Sequence, residues 1–392
     1  MIEGEVKMKA VQLMKDKKKL IYHELELLES FLERATETEI KESAAYIYSR
    51  VKYNVDKLKT SQDEYIMFRY HAVLKHVYFY LMDLKHEEKQ IIWTEDGRGR
   101  ICGLADKFRG IISLYSIAKE LNIDFKINWT YPIELTNYLI PNKYNWLIDK
   151  KQLKSDKSGN KSLILGSKIS STEAFERVKT TLQDNNHLHV FTNMFINQDN
   201  FGELFKQLFQ PTPELRMGID YYLKQIGCNY ISATFRFQQL LGDFIERESD
   251  PILPDSEKEK LINKCINHLI NIYKENNYKK VLVTSDSITF LERVKIFDFV
   301  QIIPGKIAHI GFEPGWGKDV YMKSFLDYFV LTHSKCIYLV VEGQMYTSSF
   351  PFTASLYNKV PFILIKDNEK YSTKSSHKIT KNQKVYDYRL SL

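Results

Sequence analysis

The feature that most constrains this chain is an alternation that begins near residue 91 and runs twice. Short apolar runs, IIWT at 91–94, FKINW at 125–129, SLILG at 162–166 and HLHVF at 187–191, are separated by stretches of helical spacing. Those stretches are ADKFRGIISLYSIAKEL, TEAFERVKTTLQ and, after the last run, NFGELFKQLF. Runs this short, alternating with helices, read as strands of a parallel sheet covered on both faces. The pattern then restarts with YISATFRF at 230–237, a helix over about 255–276, KKVLVTSD at 279–286 and a helix at SITFLERVKIF. It continues with FVQIIP at 299–304, a helix at KDVYMKSFLDYFVLTHS, CIYLVVE at 336–342, a helix from about Pro351 and PFILIKD at 361–367. The prediction is two successive α/β units, and the prolines of PTPELRMG (211–218) place a turn and hinge between them. Units of this kind bind ligands at the carboxyl ends of their strands, here in a cleft between the two.

The first 90 residues differ in kind. They are almost free of Gly and Pro, and apolar series such as Leu20, Ile21, Leu25, Leu28, Phe31, Leu32 and Ile66, Tyr70, Val73, Val77, Leu81 have the spacing of amphipathic helices. Packing against another domain is the plain role for such helices; peripheral membrane contact or homo-oligomer formation is the alternative. With 392 residues, 44% of them hydrophobic and 27% charged, the chain has apolar material for well-formed cores. The expected division is 1–90 as a helical extension, 91–215 as one Rossmann-like domain and 216–392 as the other.

Four cysteines, Cys102, Cys228, Cys265 and Cys336, stand without a C-x-x-C spacing, which argues against a zinc site or a disulfide scaffold and suits a reducing compartment. Neither a signal-type segment nor an apolar run of bilayer-spanning length is present, so a cytoplasmic location is expected, with the inner membrane face as a further option. The net charge of +7 could favour anionic ligands or an anionic membrane face, or could reflect a Lys-rich composition bias. No nucleic-acid partner is expected.

Four stretches carry candidate chemistry. In GRGRICGLADKFRGI (97–111) the glycines are spaced one residue too wide for G-x-G-x-x-G, and Thr94, Glu95 and Asp96 precede them where a buried strand end would be required, so an oxidoreductase reading is weak. Gly103 just before a helix instead lets a ligand approach backbone N–H groups, with Asp106 and Arg109 beside the mouth; a simple tight turn is the bland alternative. In SATFRFQQLLGDF, Arg236 ends an apolar strand, where a guanidinium can bind a pyrophosphate or make a structural salt bridge. Asp243 and Glu246 follow as candidates for a general base. In VTSDSITF, Ser285 and Asp286 lie between strand and helix, suited either to the N–H edge of a purine or to capping the helix. In QMYTSSFPFTAS, Thr347, Ser348, Ser349 and Phe350 lead into a helix that Pro351 can start, and their hydroxyls and N–H groups suit phosphate oxygens.

The order of these motifs, over roughly residues 97–360, resembles the superfamily of GDP-fucose-dependent transferases that includes Nod-factor and core α-1,6-fucosyltransferases and protein O-fucosyltransferases, and looks like a bacterial polysaccharide-type member. The resemblance implies a GT-B fold, α/β, with two Rossmann-like domains facing across a cleft. It further implies inverting transfer of fucose or a related sugar from a GDP-sugar, with no essential metal or cofactor, to a glycan or lipid-linked saccharide, as in polysaccharide or lipopolysaccharide biosynthesis. Arg236 matches the phosphate-binding arginine, Asp286 the guanine-contacting aspartate, Ser348 and Ser349 the phosphate-binding hydroxyls, and Asp106 the residue after the first Gly turn. The histidine two positions before the arginine is Thr234 here. The base is open among Asp243, Glu246, Asp106 and Glu313. A non-catalytic nucleotide-sugar or glycan-binding protein on the same fold, or a transferase with another nucleotide sugar, is the alternative.

Overall fold

The structure, a computed structural model, describes residues 23–36, 39–40, 47, 51, 69–70, 72–73, 89–97, 102–148, 160–167, 169–183, 187–196, 198–243, 251–277, 279–308, 310–311, 317–372 and 384–385. Of the N-terminal extension, positions 23–34 are helical, with Leu25 buried and Arg69 paired with Glu29.

The first α/β unit comprises β1 (Gln90–Glu95), α1 (Leu104–Leu121), β2 (Asp124–Trp129), β3 (Leu139–Pro141), β4 (Asn160–Leu165), α2 (Ser171–Leu182), β5 (His187–Thr192), α3 (Phe201–Leu208) and β6 (Phe209–Pro211). Strands β2, β1, β5 and β4 form one parallel sheet in that order, while β3 and β6 make a separate two-stranded antiparallel ribbon that the sequence reading did not anticipate. Helix α1 is buried on almost every side. It lies so close to the sheet that a Cβ on Gly110 would stand 2.0 Å from the Thr192 carbonyl oxygen, so this position accepts only glycine. Asn122 ends the helix in the left-handed conformation, its N–H returned to Ala118 and Lys119.

The second unit comprises α4 (Pro213–Ile226), β7 (Tyr230–Phe235), α5 (Asp255–Glu275), β8 (Lys280–Ser285), α6 (Ile288–Val294), β9 (Val300–Gln301), α7 (Lys318–Leu331), β10 (Ile337–Val341), α8 (Ser349–Asn358), β11 (Phe362–Lys366), β12 (Glu369–Ser372) and β13 (Lys384–Val385). Its sheet runs β13-β12-β11-β10-β7-β8-β9; β7 to β11 are parallel, and β12 is antiparallel to β11. The order therefore reverses between β7 and β10, the topological switch point at which doubly wound sheets open a crevice.

One expectation is corrected. The turn in PTPELRMG is shorter than expected: the chain passes between the units at Thr212, which caps α4 by accepting the Leu215 N–H, and Pro213 already occupies the first turn, where its missing N–H costs nothing. Helix α4 packs on α7, with Lys318 Nζ 2.8 Å from Glu214 Oε2 and Gly218 beneath Leu326. A boundary at 215/216 thus falls inside a helix of the second domain, and the crossover precedes it.

The two units share one hydrophobic core. Phe108 on α1 meets Tyr328 on α7 at 5.2 Å, Phe205 on α3 meets Tyr357 on α8 at 5.2 Å, and Tyr138 stacks on Phe325 at 4.1 Å. Such aromatic pairs contribute about 0.5–1.5 kcal/mol each beyond their buried area. This apolar seam joins the two units beside the cavity.

Candidate functional site

At the switch point the chains leaving β7 and β10 part around a cavity that both units line. Thr234 to Arg236 and Thr284 to Asp286 line it from the ends of β7 and β8, and Tyr346, Ser348, Ser349 and Phe350 from the turn into α8. Gly103 to Asp106, at the start of α1, close it from the first domain. The remaining wall is Lys306, Ile307, Ala308 and Ile310 after β9, with Lys323, Ser324 and Asp327 of α7.

Arg236 is the first residue beyond β7, its side chain 17% exposed, with Nη1 2.9 Å from Asp286 Oδ2. Asp286 is buried and accepts the backbone N–H groups of Phe237 at 2.8 Å and Gln238 at 2.6 Å. Burial pushes this carboxyl above its ordinary range, opposed by the Arg236 guanidinium and by the backbone N–H groups. The carboxylate therefore grips the chain as it leaves β7 and holds the guanidinium at the cavity. Both its oxygens are taken up by the protein, which replaces the expectation that Asp286 reads a base edge. Nor is Asp286 the cap of α6, since Ser287 Oγ accepts the Phe290 N–H at 3.1 Å.

The other predicted residues divide. Ser348 lines the cavity and caps α8 through the Phe350 N–H, and the Phe350 ring lies 5.4 Å from Tyr328. Ser349 Oγ donates to Asp106 Oδ1 at 3.2 Å, a hydrogen bond that joins the two domains across the cavity floor. Ser285 Oγ accepts the Ser287 N–H at 3.1 Å, while Thr347 precedes the serines without lining the cavity. Gly103 has φ −69°, open to any residue, so the turn itself does not require glycine.

Two expectations are corrected by geometry. Asp243 does not face the cavity: its Oδ2 accepts from Ser287 Oγ at 2.8 Å and the Thr289 N–H at 2.6 Å, so it braces the start of α6. Arg109 is 1% exposed, turned away from the cavity, with Nη1 3.1 Å from Asp106, Nη2 donating to the Asn193 carbonyl and its plane over Phe195 at 5.3 Å. It anchors Asp106 and does not line the cavity. Glu246 and Glu313 lie outside the described residues. Asp106, its side chain 28% exposed, is the candidate base that the fold places in the cavity wall.

Sequence reasoning missed Lys323 and Asp327, a buried pair on α7 with Nζ 2.7 Å from Oδ2. The signal was present: two charges four apart in the otherwise apolar run YMKSFLDYFVL. Among the described residues, no group of His, Cys, Asp or Glu is placed to hold a metal ion, and no helix is long and apolar enough to cross a membrane.

Two parallel, doubly wound units facing across one cavity constitute the GT-B fold. No family model and no curated protein matches the chain. Among solved structures the fold is similar to fucosyltransferase NodZ from Bradyrhizobium, with 16% identity and a TM-score of 0.50 over 74% of this chain and 100% of that one. It is also similar to a mutant of Arabidopsis thaliana FUT1 in complex with GDP, with 12% identity and a TM-score of 0.49 over 89% and 86% of the two chains. The NodZ likeness establishes a fucosyltransferase-like fold.

Proposed function

We propose that the protein is a fucosyltransferase-type glycosyltransferase, moving fucose or a related sugar from a GDP-sugar to a saccharide acceptor. The observation that carries this is Arg236: a guanidinium held by a buried carboxylate at a sheet's switch point, facing the hydroxyls and N–H groups of Ser348 and Ser349 at a helix start. That is a built site for a diphosphate. As the bond from the anomeric carbon to the diphosphate oxygen breaks, Arg236 stabilises the charge growing on the leaving phosphate, a task a divalent ion performs in other enzymes. The acceptor hydroxyl attacks from the opposite face and gives its proton to Asp106, which Arg109 and Ser349 hold in the wall nearest the first domain. Asp327 is the hydrogen-bond acceptor we assign to the guanine ring, because its Oδ1 is buried with no hydrogen-bond partner among the described residues.

A binding-only role has one observation in its favour, the commitment of Asp243 to bracing α6. Thermal shift with GDP, UDP and NAD, followed by turnover of GDP-fucose, separates the readings. GDP at ~100 times its Kd should stabilise by roughly 2.7 kcal/mol. Arg236→Lys, which keeps the charge but loses the fork geometry, should weaken GDP binding by about tenfold or more and cut turnover further. Stabilisation by NAD and not GDP would refute the proposal; GDP binding without sugar release or transfer would leave the binding-only role.

A further inference from the structure

Lys323 places an ammonium where α7 otherwise buries Tyr321, Phe325, Tyr328 and Phe329. It is 5% exposed, and its partner Asp327, one turn on, is 7% exposed. Desolvating such a pair costs about as much as its attraction returns, so packing alone would be served as well by two apolar residues. Both side chains line the cavity, and the loop after β9 is shaped around the lysine stem. Gly305, at φ +138°, lies where a Cβ would come within 3.0 Å of Lys323 Cβ and 3.3 Å of its Cδ. Ser324 Oγ ties the same loop to the same helix by donating to the Ala308 carbonyl at 3.3 Å. An ammonium carries three N–H groups, and the bond to Asp327 uses one.

Resting on the reading that this cavity takes a GDP-sugar, we propose that Lys323 is a specificity-determining residue, its Nζ donating to the 6-carbonyl of guanine while Asp327 accepts from the adjoining ring N–H. Guanine presents a carbonyl oxygen, then a ring N–H, then an amine, and the pair offers a donor beside an acceptor in matching order. Adenine inverts the order, setting its amine against the ammonium and its ring lone pair against the carboxylate. Uracil matches the first two groups but puts a second carbonyl where guanine has its amine. Ile307, Ala308 and Ile310 supply apolar surface on the same wall for the base to lie against.

The test is calorimetric titration of GDP, ADP and 6-thio-GDP into the wild-type chain and Lys323→Met, with melting curves to check folding. Wild type should bind GDP roughly 100-fold more tightly than ADP, whose mismatched edge leaves buried polar groups unpaired. It should prefer GDP to the 6-thio analogue by roughly tenfold, because sulfur accepts poorly. In Lys323→Met, GDP binding should fall by about tenfold and the penalty for the 6-thio analogue should vanish. A variant that binds GDP like wild type, or keeps the 6-thio penalty, overturns the assignment. Wild type that binds ADP as tightly as GDP overturns it without any variant, so a Lys323→Met chain that fails to fold leaves the test standing. Binding of all three alike refutes Lys323 as selector and spares the nucleotide site; binding of none refutes both.

Discussion

Replacing Asp286 with alanine tests whether this carboxylate aims Arg236 or reads a base. The substitution removes the acceptor of three hydrogen bonds, from Phe237 N–H, Gln238 N–H and Arg236 Nη1. Breaking a buried ion pair by deleting one partner costs about 3–5 kcal/mol. Arg236 retains 17% exposure, so water recovers part of that charge and the pair falls toward the lower end. An orphaned buried N–H adds about 1–3 kcal/mol. That falls on Phe237, whereas the Gln238 N–H is only part-buried and can find water. The sum is about 4 kcal/mol, enough to move the denaturant midpoint visibly. Asp286→Asn, which keeps one acceptor oxygen and the side chain's shape, should lose about half as much. GDP titration of both variants should show weaker binding with an unchanged preference for GDP over UDP, because Arg236 is loosened and the base contact is elsewhere. An Asp286→Ala chain within ~0.5 kcal/mol of wild type would refute the reasoning, since that is the scatter of neutral surface changes. A stable Asp286→Asn chain that exchanges GDP for UDP preference would return base reading to this residue.

Three further outcomes follow from the geometry. Gly202→Ala would set a Cβ 2.3 Å from the Tyr357 carbonyl oxygen and 2.5 Å from that of Leu356, so α3 and α8 must separate; the expected loss is about 1–3 kcal/mol, with faster hydrogen exchange along both helices. Asp106→Asn keeps an acceptor for Ser349 but removes the base, so turnover should fall by about 10²–10⁴ with GDP affinity within a few-fold, as read by coupled product assay and calorimetry. Burial raises the Asp327 carboxyl above its usual range against the opposing Lys323; Tyr222 on α4 interacts with it, and Lys306 and Arg236 line the same cavity. The Asp327 carboxylate fraction then grows as pH rises through that raised value, so GDP affinity should climb with pH there and decline on acidification, and Asp327→Asn should abolish the slope.

Strands β1, β2, β4, β5 and β7 to β11 were legible in the sequence because strands buried on both faces are largely apolar, and a run such as CIYLVVE admits few other readings, whereas the polar β12 and β13 at the sheet edge carried no such signal. The helices between them followed from spacing, and the chemistry-bearing stretches fell at strand ends because parallel sheets put loops there. Where local signals have two meanings, the reading failed. Pro213 suits a turn and a helix start equally, and it was the docking of α4 on α7 that chose the helix. Asp243 and Asp286 are both carboxylates after apolar segments, but the tasks of their oxygens depend on backbone N–H groups brought in from 46 to 49 positions away.

Lys323 and Asp327 show the same division. Two opposite charges four apart on an apolar helix are visible as a pair in YMKSFLDYFVL, and helical periodicity puts them on one face. Periodicity cannot say what that face looks at. The rotation of α7 is set by Tyr138 stacking on Phe325 and by Phe108 against Tyr328, contacts to residues of the other domain. The sequence by itself determined two doubly wound sheets and the strand ends at which a ligand could lie. Which side chains meet there was decided by the apolar seam between the domains, because burying those aromatics admits one relative placement and the polar groups must take the positions it leaves.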